Sequence, residues 1–421
     1  MRLRSFIAIL ILGTGIAGAD TLTVIGRLSL PHCTNVFVSG HICYATDSYG
    51  LEAVDITDPT NPTLLGRCPL PDTGQAVTVR DSIAYVSDAD SGLAIVNVAR
   101  PESLSLLSRW RQYEGYAYEA GVYGDTAYLA NGYSYDYRPP YQGGIFALDV
   151  SNPSNPRFGR YYSSAVTNPY PFNSCFVKYT SVVCESGHVY VAAWGQVGNR
   201  DLMIPFGVLE LANYPVISIN DIPGAFFSNH KMSMRYPFAY IIRSSDCFTI
   251  VRFRTPSDPD TVFEHNLGGR DGRGVWAESA RVYVTIDSTV ELLDVSDPCT
   301  LTVMAACSLD NDAYGIQSSD PYVYVANGPY LTILQHSPSG VEERSQGPRV
   351  KDQGVTVNPN PFTFFAKVPG HSSDRFTLYD ISGRLLGTYG GDRIGEGLAP
   401  GVYFLKAKGV SSPPIRVVKV R

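Results

Sequence analysis

The chain is poor in charge, and poorer in positive charge than in negative. Lys and Arg number 33 against 39 Asp and Glu in 421 residues, a net charge of −6. A surface with that balance does not neutralise a run of phosphates, so nucleic acid is excluded as a partner. Long apolar runs are scarce too. The run over residues 6–16 falls well short of the ~20 residues that a membrane span requires, so no transmembrane segment is expected in the mature chain. Gly and Pro, 39 and 29 residues, are too few for a low-complexity chain. The eight Cys and seven His show no CxxC, HxxxH or HxH spacing, which argues against a zinc site. GxSxG, HExxH, P-loop and dinucleotide signatures are all missing. No cofactor, metal or catalytic residue is expected.

What is present begins with a leader. Arg2 and Arg4 precede the apolar run, and Ala17-Gly18-Ala19 supplies a small-residue cleavage pattern, so residues 1–19 read as a signal peptide. An exported chain with an even number of cysteines is permitted disulfides, and most of its thiols are expected to be oxidised or buried. Cys175 with Cys184, and Cys299 with Cys307, are the nearest pairs.

Twenty-eight Tyr favour strands, and one strand with a Tyr recurs seven times: Tyr44, Tyr85, Tyr128, Tyr190, Tyr240, Tyr283 and Tyr324. A second strand follows each, marked by Asp55, Asn97, Asp149, Glu210, Arg252, Asp294 and Gln335. A third precedes each Tyr and ends in a tight turn such as Gly40-His41 or Gly124-Asp125. After the marker, Asp58-Pro59, Asn152-Pro153 and Asp297-Pro298 set turns that lead to a fourth short strand. Four antiparallel strands per repeat is the pattern of a β-propeller blade. The seventh copy stops near His336 without its fourth strand. Val24-Ile25-Gly26-Arg27 matches the fourth strand Leu64-Leu65-Gly66-Arg67 of the first copy, so the N-terminal strand is expected to close the ring.

The segments Gly92-Leu93-Ala94-Ile95-Val96-Asn97-Val98 and Leu292-Leu293-Asp294-Val295-Ser296-Asp297-Pro298 resemble the LVIVD-repeat propellers of exported proteins. The likeness is strongest in copies 1, 2, 3 and 6, and copies 4 and 5 depart from it at Glu210 and Arg252. It implies a secreted or cell-surface protein and transfers no catalytic residues.

Residues 337–354 are polar and rich in Pro and Gly, a linker between a propeller of residues 20–336 and a second domain of residues 355–421. The short alternating strands of that domain predict a small immunoglobulin-like β-sandwich. The whole chain is thus expected to be all-β. Asn358, Pro359 and Pro361, then Asp380, Gly383 and Arg384, then Gly401 and Tyr403, resemble in order and position a type IX secretion sorting domain. The alternative is a plain immunoglobulin-like domain. The resemblance implies the secretion machinery as a partner, passage across the outer membrane, and cleavage of the tail during surface attachment.

Insertions locate the candidate site. Tyr128 to Asp149 and Tyr190 to Glu210 span 21 and 20 residues where the other copies span 11 or 12, and the connection between copies 3 and 4 is also long. In an antiparallel meander these connections share one end. They carry Tyr133, Tyr135, Tyr137, Arg138, Tyr141, Trp194, Arg200 and Asp201, together with Tyr170, Phe172, Phe176 and Tyr179. Packing within the loops accounts for aromatics; a recognition patch for a surface protein or glycan accounts also for the arginines. The competing expectation is a secreted polysaccharide-active enzyme, hydrolase or lyase, using Asp72, Glu114, Asp271, Asp310 and Asp312 at the same end. The turn residues Asp47, Asp88, Asn131 and Asn327, each three after the strand Tyr, read as Asx turns.

Overall fold

The computed structural model describes residues 20–111, 115–132, 144–162, 175–185, 187–197, 200–202, 206–210, 216–219, 230–243, 247–255 and 258–338. It also describes residues 366–368, 375–379, 385–390, 393–395, 398, 401–407 and 415–419. The chain divides into two compact units, residues 1–342 and 343–421. Among the described residues no helix is long and apolar enough to cross a membrane.

The larger unit is a succession of antiparallel sheets. The chain starts with β1 (Thr21–Cys33). Sheet 1 follows with β2 (Asn35–Ser39), β3 (Ile42–Thr46), β4 (Gly50–Asp55) and β5 (Thr63–Pro69), paired in that order. Sheet 2 holds β6 (Ala76–Arg80), β7 (Ile83–Ser87), β8 (Leu93–Asn97) and β9 (Ser105–Trp110). Sheet 3 holds β10 (Tyr116–Tyr123), β11 (Thr126–Gly132), β12 (Gly144–Asp149) and β13 (Arg157–Tyr162). Sheet 4 has five strands: β14 (Cys175–Glu185), β15 (His188–Val197), β16 (Arg200–Leu202), β17 (Phe206–Glu210) and β18 (Val216–Ile219), with β16 pairing only to β15. Sheet 5 holds β19 (His230–Arg235), β20 (Phe238–Arg243), β21 (Cys247–Thr255) and β22 (Asp258–Asn266). Sheet 6 holds β23 (Gly272–Glu278), β24 (Arg281–Ile286), β25 (Thr289–Asp294) and β26 (Thr302–Ser308). In sheet 7, β27 (Ile316–Ser319) pairs with the first part of β28 (Tyr322–Ser337), and the last part of β28 pairs with β1, from Thr21↔Ser337 to Ser29↔Tyr330.

Among the described residues this unit has no single central core. Apolar clusters instead lie between successive sheets. Tyr44, Leu51 and Ala53 of sheet 1 meet Val77, Ala84 and Val96 of sheet 2, and the same arrangement repeats along the chain. The last such cluster joins Tyr324, Leu331 and Ile333 of sheet 7 to Val36, Cys43 and Val54 of sheet 1. A sheet covered on both faces favours apolar residues along its middle strands, which is why β3, β4, β7 and β8 are mostly apolar and almost wholly buried, with Glu52 of β4 the charged exception. Outer strands such as β5 and β9 are mostly exposed or half-buried.

The repeat markers are turn formers. Asp55, Asn97, Asp149 and Asp294 each accept the backbone N–H two residues on, at 2.8–3.0 Å. Asp58, Asn152 and Asp297 do the same one turn later, at 3.0–3.1 Å. Two successive Asx turns therefore reverse the chain before the fourth strands of sheets 1, 3 and 6.

Neither of the two nearest cysteine pairs is joined. Cys175 and Cys184 stand at opposite ends of the one strand β14, facing Val197 and Val189, about 30 Å apart at the rise of a strand, against the roughly 7 Å limit of a disulfide. Cys299 precedes the extended β26, Cys307 lies near its end, and both are thiols. Cys33, Cys43 and Cys68 are buried thiols, and burial pushes the Cys33 and Cys43 groups up.

The smaller unit has one four-stranded antiparallel sheet among its described residues, in the order β30 (Leu385–Gly390), β29 (Arg375–Tyr379), β31 (Gly401–Ala407), β32 (Ile415–Lys419). Phe376, Leu378, Tyr403, Leu405 and Val417 bury one face against Ala366, Val368 and Ile394. A second sheet of the expected sandwich is not seen among the described residues. Asn358, Pro359, Pro361, Asp380, Gly383 and Arg384 lie outside them; Gly401 opens β31, opposite Lys419.

Candidate functional site

The first strand of every sheet, β2, β6, β10, β14, β19, β23 and β27, lines a single cavity of about 920 Å³. These strands neighbour one another in that order, and β27 neighbours β2. Side chains on them tie adjacent strands together. Thr78 donates to Ala120 O at 2.7 Å, Arg235 to Ala277 O at 2.9 Å, and Gln317 Oε1 accepts Val38 N–H at 2.8 Å.

Three first strands carry a one-residue bulge near the mouth that receives the connections between sheets. The extra residues are Tyr118 in β10, Thr180 in β14 and Arg273 in β23, and all three line the cavity. A bulge turns an additional side chain toward one face. Arg273 lies between Asp271 at 2.9 Å and Asp312 at 2.7 Å and over the Tyr314 ring at 5.0 Å. Glu119 of β10 pairs with Lys231 of β19 at 3.6 Å, spanning from sheet 3 to sheet 5.

The turn residues after the strand Tyr reach further than expected. Asp47 does form an Asx turn, accepting Tyr49 N–H at 2.7 Å and Gly50 N–H at 3.0 Å. Asp88 instead accepts Asp72 N–H at 3.2 Å, and Asn327 donates to Asn311 O at 2.6 Å. Each fastens the connection that enters its own sheet. Asp88 is wholly buried, and burial pushes its carboxyl up to about 7.

Of the sequence-predicted site residues, Tyr133, Tyr135, Tyr137, Arg138 and Tyr141 lie outside the described residues, between β11 and β12. Trp194, expected in a loop, stands on β15 opposite Lys178 of β14. Arg200 and Asp201 form β16, opposite Val197 and Gln196. The inserted segment of copy 4 is thus an extension of the β14–β15 ladder with a third strand added. Tyr179, expected among the loop aromatics, is buried against Tyr128, Ala130 and Ile145. The acids of the enzyme reading are spread among other partners: Asp310 pairs with Arg27 at 2.6 Å, Asp271 and Asp312 share Arg273, and Asp72 accepts backbone N–H groups. Glu114 lies outside the described residues. The cavity residues Tyr116, Tyr118, Glu119, Lys231 and Arg273 were missed by the sequence reading. The Gly272-Arg273-Gly274 triplet was the one local sign of a bulge.

A family model described as LVIVD repeat matches residues 32–69, 73–111 and 140–163. These cover sheets 1 and 2 and the β12–β13 half of sheet 3; copy 6, expected to be among the best, is not matched. Among curated proteins none matches in sequence. The β-propeller domain of Cps50 (Swd1) from Myceliophteria thermophila superposes with a TM-score of 0.55 at 8% identity, covering 75% of this chain and 99% of that one. The computationally designed Ika8 protein gives 0.50 at 10% identity, covering 76% of this chain and 100% of that one. At these identities the likeness shows the fold alone. The chain is an all-β protein with LVIVD repeats and a β-propeller fold.

Proposed function

We propose that residues 20–336 form a seven-bladed propeller closed by β1, exported and displayed at the cell surface, which binds a surface protein or glycan and performs no catalysis. Residues 355–421 serve as its type IX sorting domain. The observation that carries the binding reading is the extension of sheet 4 at the cavity mouth. There β14 and β15 run on as a ladder to Cys175↔Val197, with β16 added beside them. Rigid sheets holding elaborated ends are where recognition residues concentrate. The non-catalytic reading is supported by the pairing of Asp271 and Asp312, which both hold Arg273, and of Asp310, which holds Arg27, since glycoside hydrolysis needs an acid and a carboxylate free to flank one bond.

The test is a screen of glycans and surface proteins against the full chain, followed by alanine at Tyr135, Tyr137, Arg138 and Trp194. Truncation of a hot-spot side chain costs about 2 kcal/mol, roughly thirtyfold in affinity. Weakened binding at an unchanged melting temperature is the expected result. Undiminished binding in all four variants would place the interface elsewhere.

A further inference from the structure

We propose that the cavity mouth between sheets 2 and 3 is a binding site for an organic cation, a primary ammonium or guanidinium group. This goes beyond the interface of the inserted segments and concerns different residues.

The site is built by backbone pairing. Ala89, in the β7–β8 turn, forms an isolated antiparallel bridge with Ala117 of β10, whose N–H donates to Ala89 O at 2.9 Å. Both alanines are buried. In an antiparallel pair the next residues, Asp90 and Tyr116, are cross-strand neighbours on the opposite face, and both line the cavity. Ala89 holds a φ of 39°, in the left-handed region, to make this contact. Tyr118, the bulged residue of β10, packs against Tyr116 with ring centroids 4.7 Å apart and the ring planes tilted by 47°.

Beside these rings sit the fixed carboxylate of Asp72 and the exposed carboxylate of Asp90. Asp72 Oδ1 accepts Thr73 N–H at 2.7 Å, and its Oδ2 accepts Asp90 N–H at 3.2 Å, which places Asp72 directly against the Asp90 backbone. Behind Asp72 lies Asp88, whose Oδ1 takes the Asp72 N–H while its buried Oδ2 has no partner. Among the described residues no basic side chain pairs with Asp72 or Asp90, whereas Asp271, Asp312, Asp310 and Glu119 are each matched by an Arg or Lys. Uncompensated negative charge therefore gathers at one point of the mouth, next to two ring faces.

The donor set decides the ligand class. Calcium needs six to eight oxygens, and no group of acidic, His or Cys side chains suited to a metal occurs among the described residues. An ammonium or guanidinium needs one or two carboxylates and gains from an aromatic face, which is what Asp72, Asp90, Tyr116 and Tyr118 offer.

Calorimetry on the full chain tests this with agmatine as a free guanidinium, an arginine-terminated peptide, and 1-butanol as a neutral comparison. Saturable binding of agmatine or the peptide, none of 1-butanol, and loss of about tenfold in affinity for Asp90→Asn are expected. Tyr118→Leu should weaken the same ligand without changing the melting temperature. Binding by the peptide alone assigns the cation to a partner chain; equal binding of agmatine assigns it to a small molecule. Failure of both cations to bind, or an Asp90→Asn variant that binds as tightly as the original, overturns the proposal. Alanine at Tyr135, Tyr137 and Arg138 should leave agmatine affinity intact, so the two readings fail separately.

Discussion

Carboxyl groups along this chain meet two fates. Asp55, Asp58, Asp149 and Asp294 sit at the surface and accept N–H and hydroxyl donors, which hold each below the ordinary aspartate range. Glu52 and Asp88 are wholly buried. Burial, and for Glu52 also the neighbouring Asp47, pushes both up to about 7. Glu52 faces Asp47, the Cys33 thiol and Arg67, the last at 3.4 Å. A carboxyl raised in the folded state binds its proton more tightly there than in the unfolded chain. Its contribution to stability is full below the unfolded value and is lost as pH rises through 7. For Glu52, starting at 4.5, that amounts to on the order of 3 kcal/mol. The surface aspartates act only at lower pH and do not oppose this. Melting temperature should therefore fall between pH 5 and pH 8, and Glu52→Gln and Asp88→Asn should each flatten the fall; a flat profile in the unmodified chain would refute the assignment. The turn-forming roles of Asp47 and Asp58 were legible in the sequence. The reach of Asp88 to Asp72 was not, because a carboxylate three residues past a strand Tyr has the same local pattern whichever way it points.

At the scale of elements, β1 behaves as one more outer strand. The outer strands of sheets 1, 2, 3, 5 and 6 each carry a one-residue bulge, at Leu65, Leu107, Gly159, Val262 and Met304, and β1 carries the same bulge at Ile25. Such bulges twist an edge away from further pairing. The residue after the bulge meets the Pro turn of the next sheet. Ser108 donates to Pro153 O at 2.5 Å, and a Cβ on Gly66 would collide with Pro101 O, as one on Gly26 would with Pro59 O. The strand tyrosines repeat the relation: Tyr44 OH reaches Val98 O, and Tyr283 OH reaches His336 Nδ1, both at 3.5 Å. His336 in turn meets Asp20 at 2.9 Å, both side chains being buried. Gly26→Ala and Gly66→Ala should each cost about 1–3 kcal/mol by overpacking. Gly159→Ala, whose nearest neighbour is Ala147 O at 3.1 Å, should cost less. Hydrogen exchange should show the Gly26 change loosening β1 and the second half of β28 first; uniform loosening of the whole unit would contradict the local contact. The match of residues 24–27 to 64–67 made the strand pairing readable. The bulges were not readable, since an extra residue absorbed within a strand leaves the spacing of the repeat unchanged. The course of the chain between the nearest cysteines was hidden for a related reason: nothing in residues 175–184 announces that β14 runs straight through them.

The whole molecule is two units whose cores use separate residues. Sheets 1 to 7 bury clusters drawn from residues 22–334, and the smaller unit buries its own set from Ala366 to Val417. A chain ending at residue 342 therefore loses none of the apolar clusters of the larger unit, and its calorimetric transition should match that of the larger unit in the full chain. This separability gives the proposed export route a clean test. If residues 355–421 carry the address, removing them alters location and nothing else. In a host with a type IX system, the truncated chain should accumulate folded in the periplasm, protease-resistant and with an unchanged melting temperature, while the full chain reaches the surface. Fusing residues 337–421 to an unrelated exported domain should carry that domain outward. A truncated chain that still reached the surface, or a fusion that stayed behind, would mean that residues 355–421 are an ordinary appended domain and that the address lies within the propeller.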